Sequence, residues 1–191
     1  NQAHIINNTI IAALKQGLTK NTHITVLSDG AENCWKIAKA MEPLCKSTTY
    51  ILDWFHLAMK FENIALPKHL KEKLLNIKWY LWRGDVDNAI VKLKEVTDIT
   101  KEEKHYVRIQ KLSQYISNNR SRIVDYSQRK KDGMVFTSNL AESTVESLIN
   151  QRCKGQQHMR WSREGLNPVL QLRAAIHSDD WSNKWRTAVL N

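Results

Sequence analysis

A chain of 191 residues is long enough to bury a core, and its length favours one domain with room for a large insertion. Its 29 Lys and Arg against 19 Asp and Glu give a formal charge of +10 and a pI near 9.6, which favours a polyanionic partner, nucleic acid first. No apolar run approaches the roughly 18 to 20 residues of a membrane span, no signal peptide is visible, and three cysteines without a C-x-x-C pair argue against a disulfide framework or a zinc knuckle.

The charge is uneven. Residues 1–56 carry five basic and four acidic groups, residues 57–135 seventeen and ten, and residues 136–191 seven and five. The middle of the chain is its electrostatic part.

Residues 3–17 place Ile6, Ile10, Ala13 and Leu14 at helical spacing, with Gly17 suited to the stop. Residues 23–28 read as a buried strand that delivers Asp29 to a sheet edge, with a sharp turn at Gly30. In residues 32–41, Trp35, Ala38 and Met41 line one helical face, and Pro43 blocks continuation. Residues 48–52 form a second short β-branched and aromatic run, ending at Asp53. Helix, strand, helix, strand with short connections is an α/β pattern of neighbouring parallel strands.

From residue 54 to about residue 130 the signals are helical only. One run carries Leu70, Leu74, Ile77 and Leu81, and further runs span 86–96, 102–116 and 120–129, punctuated by Pro67, Gly84, and polar clusters at 97–100 and 117–119. Ser138 and Asn139 open another helix over residues 140–151, broken at Lys154 and Gly155. Pro168, Val169, Leu170, Leu172 and Ile176 mark a closing helix, with Trp181 and Trp185 beyond. Two strands do not make a stable sheet alone, so further strands or a partner are expected. The domain reading is a sheet-bearing segment over 1–56, a helical insertion over 57–135, and a segment carrying a late acid over 136–191.

Three acids stand out. Asp29 and Asp53 end neighbouring strands, where ligands of open α/β sheets are met, and Glu142 sits in the first turn of a late helix. Gathered carboxylates suit Mg²⁺ or Mn²⁺, and two such ions suit in-line displacement at phosphorus. Each acid also has a simpler reading: a turn at Asp29-Gly30, and a capping box from Asn139 to Glu142. In Asp53-Trp-Phe-His56 the spacing lets a carboxylate orient an imidazole, although a core histidine beside two aromatics reads equally well.

Taken jointly, Ser28, Asp29, Gly30, Ala31 and Glu32, then Ile51 to Asp53 and His56, then Leu140, Glu142 and Ser143 through Asn150, Arg152, Lys154, Gly155, Met159 and Trp161 resemble the DDE transposases of bacterial insertion sequences. The resemblance is closest to the ISKra group, related to the Mutator-like superfamily, and runs from about Ile24 to Trp181. It implies an incomplete RNase H-like fold with a large all-helical insertion, and metal-dependent cleavage and transfer of DNA strands. Asp29 then matches the second catalytic acid and Glu142 the third, both as metal ligands, with Glu146 in reserve. Asp53 and His56 match a supporting motif. No residue in 1–23 matches the first aspartate, so the chain resembles the C-terminal part of such an enzyme and is expected to be inactive alone.

The same resemblance implies two Mg²⁺ or Mn²⁺ ions in the complete site. It also implies double-stranded DNA at transposon ends as partner, a homo-oligomeric full-length form, and a location in the bacterial cytoplasm at the nucleoid. Lys71, Lys73 and Lys78 in the insertion, and Arg152, Lys154 and Arg160 after Glu142, are the expected phosphate contacts. Trp79 and Trp82 read as core first and as base-stacking platforms second. The alternatives are a non-catalytic DNA-binding or regulatory product of a broken mobile element, and an unrelated α/β nuclease or hydrolase.

Overall fold

The computed structural model describes residues 2–154, 160–178 and 180–190. It is a mostly helical, mixed α/β chain in two compact units, Asn1–Ser138 and Asn139–Asn191. No helix among the described residues is long and apolar enough to cross a membrane. Of the three free thiols, Cys45 is buried, Cys34 is exposed and Cys153 is intermediate.

The first unit opens with α1 (Gln2–Lys15), β1 (His23–Ser28), α2 (Glu32–Lys39) and β2 (Ser47–Leu52). The strands are parallel and in register from His23 opposite Ser47 to Ser28 opposite Leu52. The β-branched residues Ile24, Thr25 and Val26 face Thr48, Thr49 and Tyr50 across this pair, the side-chain type that a pleated surface accommodates. These are the only two strands among the described residues.

A helical segment follows: α3 (Trp54–Asn63), α4 (Lys68–Trp82), α5 (Val86–Asp98), α6 (Glu103–Asn118) and the short α7 (Tyr126–Lys131). Leu70, Leu74, Ile77 and Leu81 of α4 are buried together with Leu93, Ile109 and Ile116. They share one apolar cluster with Ile51 and Leu52 of β2 and with Leu57 and Phe61 of α3. Each buried aliphatic side chain is worth about 1.5–3 kcal/mol, so the helices supply the burial that a strand pair lacks. Trp54, Trp82, Tyr126 and Phe136 extend the cluster, with Trp54 and Trp82 centroids 4.7 Å apart and Trp82 stacked on Tyr126 at 6.2 Å.

Two elements depart from the sequence pattern: β1, expected to be buried, has only Ser28 buried, and the segment over 120–129 is not one helix. The helix expected over 120–129 is instead a single 3₁₀ turn at Arg120–Arg122, an extended stretch, and then α7. Asp125 caps α7 by accepting from the Gln128 N–H at 2.8 Å, and it pairs as an antiparallel bridge with Arg83. Gly84 permits this: its φ is +73°, and a Cβ there would lie 3.0 Å from the Asp125 backbone nitrogen. The extended stretch aims Tyr126 inward, where its hydroxyl donates to the Leu52 carbonyl at 2.7 Å.

The second unit holds α8 (Asn139–Val145), a π turn (Glu146–Asn150), α9 (Gln151–Cys153), α10 (Arg163–His177) and α11 (Trp181–Leu190). Arg173 fastens α10 to the π turn, donating to the carbonyls of Leu148 and Ser147 at 2.7 Å each. Ser162 caps α10 through the Gly165 N–H at 3.0 Å.

Tyr126→Phe removes the donor to a carbonyl in the buried core and is expected to destabilise the chain by about 1–3 kcal/mol. Leu74→Ala should cost about 2–5 kcal/mol. Urea unfolding followed by circular dichroism measures both, as a lower midpoint at unchanged slope.

Candidate functional site

Because β1 and β2 are parallel and in register, Asp29 and Asp53 leave the sheet side by side. The Asp53 N–H donates to the Ser28 carbonyl at 2.8 Å. From that shared edge the two carboxylates meet opposite environments.

Asp29 is exposed. Its Oδ1 accepts from the Ala31 N–H at 2.9 Å and from Ser28 Oγ at 3.3 Å, which closes a tight Asx turn. Gly30 takes φ +96°, and a Cβ there would lie 3.0 Å from Asn119 Nδ2 and 3.2 Å from Tyr115 Cε2. The turn is therefore seated on α6. Tyr115 donates its hydroxyl to the Asp29 carbonyl at 2.6 Å, and the buried Asn119 side chain donates to the Tyr115 carbonyl at 2.9 Å. Burial first, and then the charges of Asp29 and Asp53, push the Tyr115 hydroxyl well above the usual tyrosine range, so it stays a donor.

Asp53 is 1 % exposed. Its carboxylate accepts five hydrogen bonds. Oδ1 takes the N–H groups of Phe55 at 3.3 Å and Ser138 at 2.8 Å. Oδ2 takes the His56 N–H at 3.4 Å, Ser138 Oγ at 2.7 Å and His56 Nδ1. Burial alone would raise its pKa, but the Ser138 hydroxyl, the His56 ring and the backbone N–H groups of both residues outweigh it, leaving the carboxyl below the usual range. Asp53 is thus the N-cap of α3, the anchor of His56 and the lock on Ser138, the residue before α8. With both oxygens occupied inside the protein, it has no place for a metal ion.

His56 is 38 % exposed in its side chain, with the Phe55 ring edge-on at 5.3 Å. In the neutral ring, an Nδ1–H donated to Asp53 leaves the accepting lone pair on Nε2.

The remaining expected residues divide by surroundings. Glu142, Glu146, Lys154 and Arg160 are exposed on the second unit, and Glu146 accepts from Asn150 Nδ2 at 2.7 Å. Gly155, Met159 and the side chain of Arg152 lie outside what is described. In the insertion, Lys78 is 14 % exposed and bonds Glu62 Oε1 at 2.7 Å, while Lys71 Nζ donates to the Glu62 carbonyl at 2.7 Å. The Lys78 hydrogen bond, opposed by slight burial and aided by the charges of Lys78 and Lys71, holds the Glu62 carboxyl below its usual range. Of these three helical-segment lysines, Lys73 alone is exposed. Trp82 belongs to the aromatic core cluster, whereas Trp79 is 51 % exposed.

Tyr115, Asn119, Tyr126 and Ser138 shape the site, yet the sequence marks none of them as a site residue. Their partners lie 74 to 86 residues away for the three cross-chain bonds, so no local pattern marks them. Among the described residues, no group of three or more His, Cys, Asp and Glu side chains is placed to hold a metal ion.

Fold and site together define a class: a mixed α/β protein with strand-end acids on a parallel pair, packed against a helical segment. A family model matches residues 13–187, and the chain belongs to that family, described as Uncharacterised protein family (UPF0236). Searches of curated proteins and of solved structures found no match.

The depressed Asp53 pKa fixes a sign. A carboxyl whose folded pKa lies below its unfolded value adds stability above the unfolded pKa, near 3.9, that is lost as pH falls through the folded value. The urea midpoint should therefore drop as pH is lowered from about 5 to about 3. Asp53→Asn should lower the midpoint at neutral pH and flatten that acid limb. An unchanged limb in Asp53→Asn would show that another carboxyl governs it.

Proposed function

We propose that this chain carries the second and third acids of a DDE transposase related to the ISKra group, acting in metal-dependent cleavage and transfer of DNA strands. The observation that carries the reading is the in-register delivery of Asp29 and Asp53 to one edge of a parallel sheet. A helical insertion follows, with Glu142 in the first turn of the helix after it. That order of parts is what an RNase H-like catalytic core with an insertion requires.

Asp29 suits a hard cation. It is exposed, and among the described residues its Oδ2 accepts no hydrogen bond, leaving an anionic oxygen of the kind Mg²⁺ and Mn²⁺ prefer. Asp29 and Glu142 would hold the ions together with a third acid, and such ions supply an activated hydroxyl nucleophile and charge stabilisation at the leaving oxygen. The chain's own residues do the positioning. The Gly30 turn and the Tyr115 hydroxyl fix where the Asp29 carboxylate stands. Asp53 holds the imidazole of His56 and the Ser138 residue that leads into the helix bearing Glu142.

With two acids of three, the 191-residue chain should leave supercoiled DNA intact in Mg²⁺ or Mn²⁺. In the longest protein its reading frame encodes, if that protein carries a further strand-end aspartate, nicking should appear. Asp29→Asn and Glu142→Gln should each reduce it by about three orders of magnitude or more, the scale of losing a group that stabilises transition-state charge. Nicking by the 191-residue chain that Asp29→Ala abolishes would overturn the incomplete-site reading. DNA binding without cleavage by the longest protein would favour a non-catalytic binding module.

A further inference from the structure

A groove opens beside the Asp29 turn, between α3 and α6, with a volume of about 400 Å³. Lys60 and Asn63 of α3 line one wall, and Arg108 and Lys111 of α6 line the other. Ile64 and Leu112 form an apolar floor, and Tyr115 lies at the wall nearest the site. No carboxylate lines it, and among the described residues none of its three cations forms an ion pair with an acid.

Its geometry is fixed from within. Arg108 Nη1 donates to the Ala65 carbonyl at 2.6 Å, which uses one of five guanidinium donors. Lys60 Nζ stands over the Tyr115 ring at 4.3 Å, and the hydroxyl of that ring holds the Asp29 carbonyl. The groove and the strand-end acid therefore share a wall residue.

Another groove opens between α4 and α5. That groove is of similar size, about 420 Å³, and is also lysine-lined. There Lys92 is held by both oxygens of Glu95 at 2.9 Å, so its charge is already answered. Like charges gathered in a concave surface without counter-charge repel one another and focus field outward. A polyanion with evenly spaced charges relieves that repulsion.

We propose that the groove between α3 and α6 binds the sugar-phosphate backbone of a DNA strand and guides it to Asp29. Lys60, Arg108 and Lys111 neutralise successive phosphates, and Ile64 with Leu112 supports the sugar edges. This assignment rests on the reading of DNA as partner, but it can fail while that reading stands.

The test is fluorescence anisotropy of a short labelled DNA duplex with the full chain, in EDTA, across a salt series. Lys60→Glu with Lys111→Glu should weaken binding by about tenfold or more at moderate salt and lower the log–log salt slope by about two. A control pair of equal charge change, Lys94→Glu with Lys101→Glu, lies outside this groove and should move affinity far less. Lys60→Gln with Lys111→Gln should fall between, and it keeps the test valid if charge reversal disturbs folding by circular dichroism. Equal losses in both pairs, or no loss in the groove pair, would overturn the groove assignment and leave DNA as partner. Absence of any duplex binding by the unmodified chain at low salt would overturn both readings together.

Discussion

A single buried carboxylate, that of Asp53, decides how the first unit closes. An ionised carboxylate out of water is costly unless its lone pairs are met by donors. Here the donors come from three places: the first turn of α3, the His56 ring, and the backbone and hydroxyl of Ser138, 85 residues further on. The sheet end, the helix that follows it and the chain leaving the insertion are therefore satisfied together.

The helical segment answers in kind. Two tyrosine hydroxyls, from Tyr115 on α6 and Tyr126 on α7, donate to the carbonyls of Asp29 and Leu52 at the ends of the two strands. Backbone carbonyls where a strand ends have lost their ladder partners and need others. The helical segment supplies them along with the apolar cluster that covers β2. Its role is thus structural and positional at once: displacement of α6 would release the Gly30 turn, and with it the carboxylate of Asp29.

The α/β order, the two strands, the Gly30 turn and the main helices were legible because each rests on local chemistry: β-branched runs, helical periodicity, glycine at a positive φ. The apolar stripe of α4 is a plain case, since Leu70, Leu74, Ile77 and Leu81 are all buried as their spacing demands. The helix over 120–129 misled because its composition favours helix while Gly84 and the Asp125 cap impose an extended stretch on it. The different fates of Asp29 and Asp53 were not legible either. Both follow strands and both precede helices, and only the distant Ser138 makes one of them an internal lock.

The cations show the same limit from another side. The surplus charge of the middle segment is visible in composition, but charge along the chain is not charge on a surface. Lys78, in the most basic-looking stretch, is half of an ion pair with Glu62 and mostly covered. Lys60, Arg108 and Lys111 come from helices more than forty residues apart in sequence, yet share one groove that no acid enters. What a polyanion meets is the unanswered charge, and where that charge stands is decided by which carboxylates the fold has already brought to which lysines. In this chain, three such charges stand together beside the turn that carries Asp29.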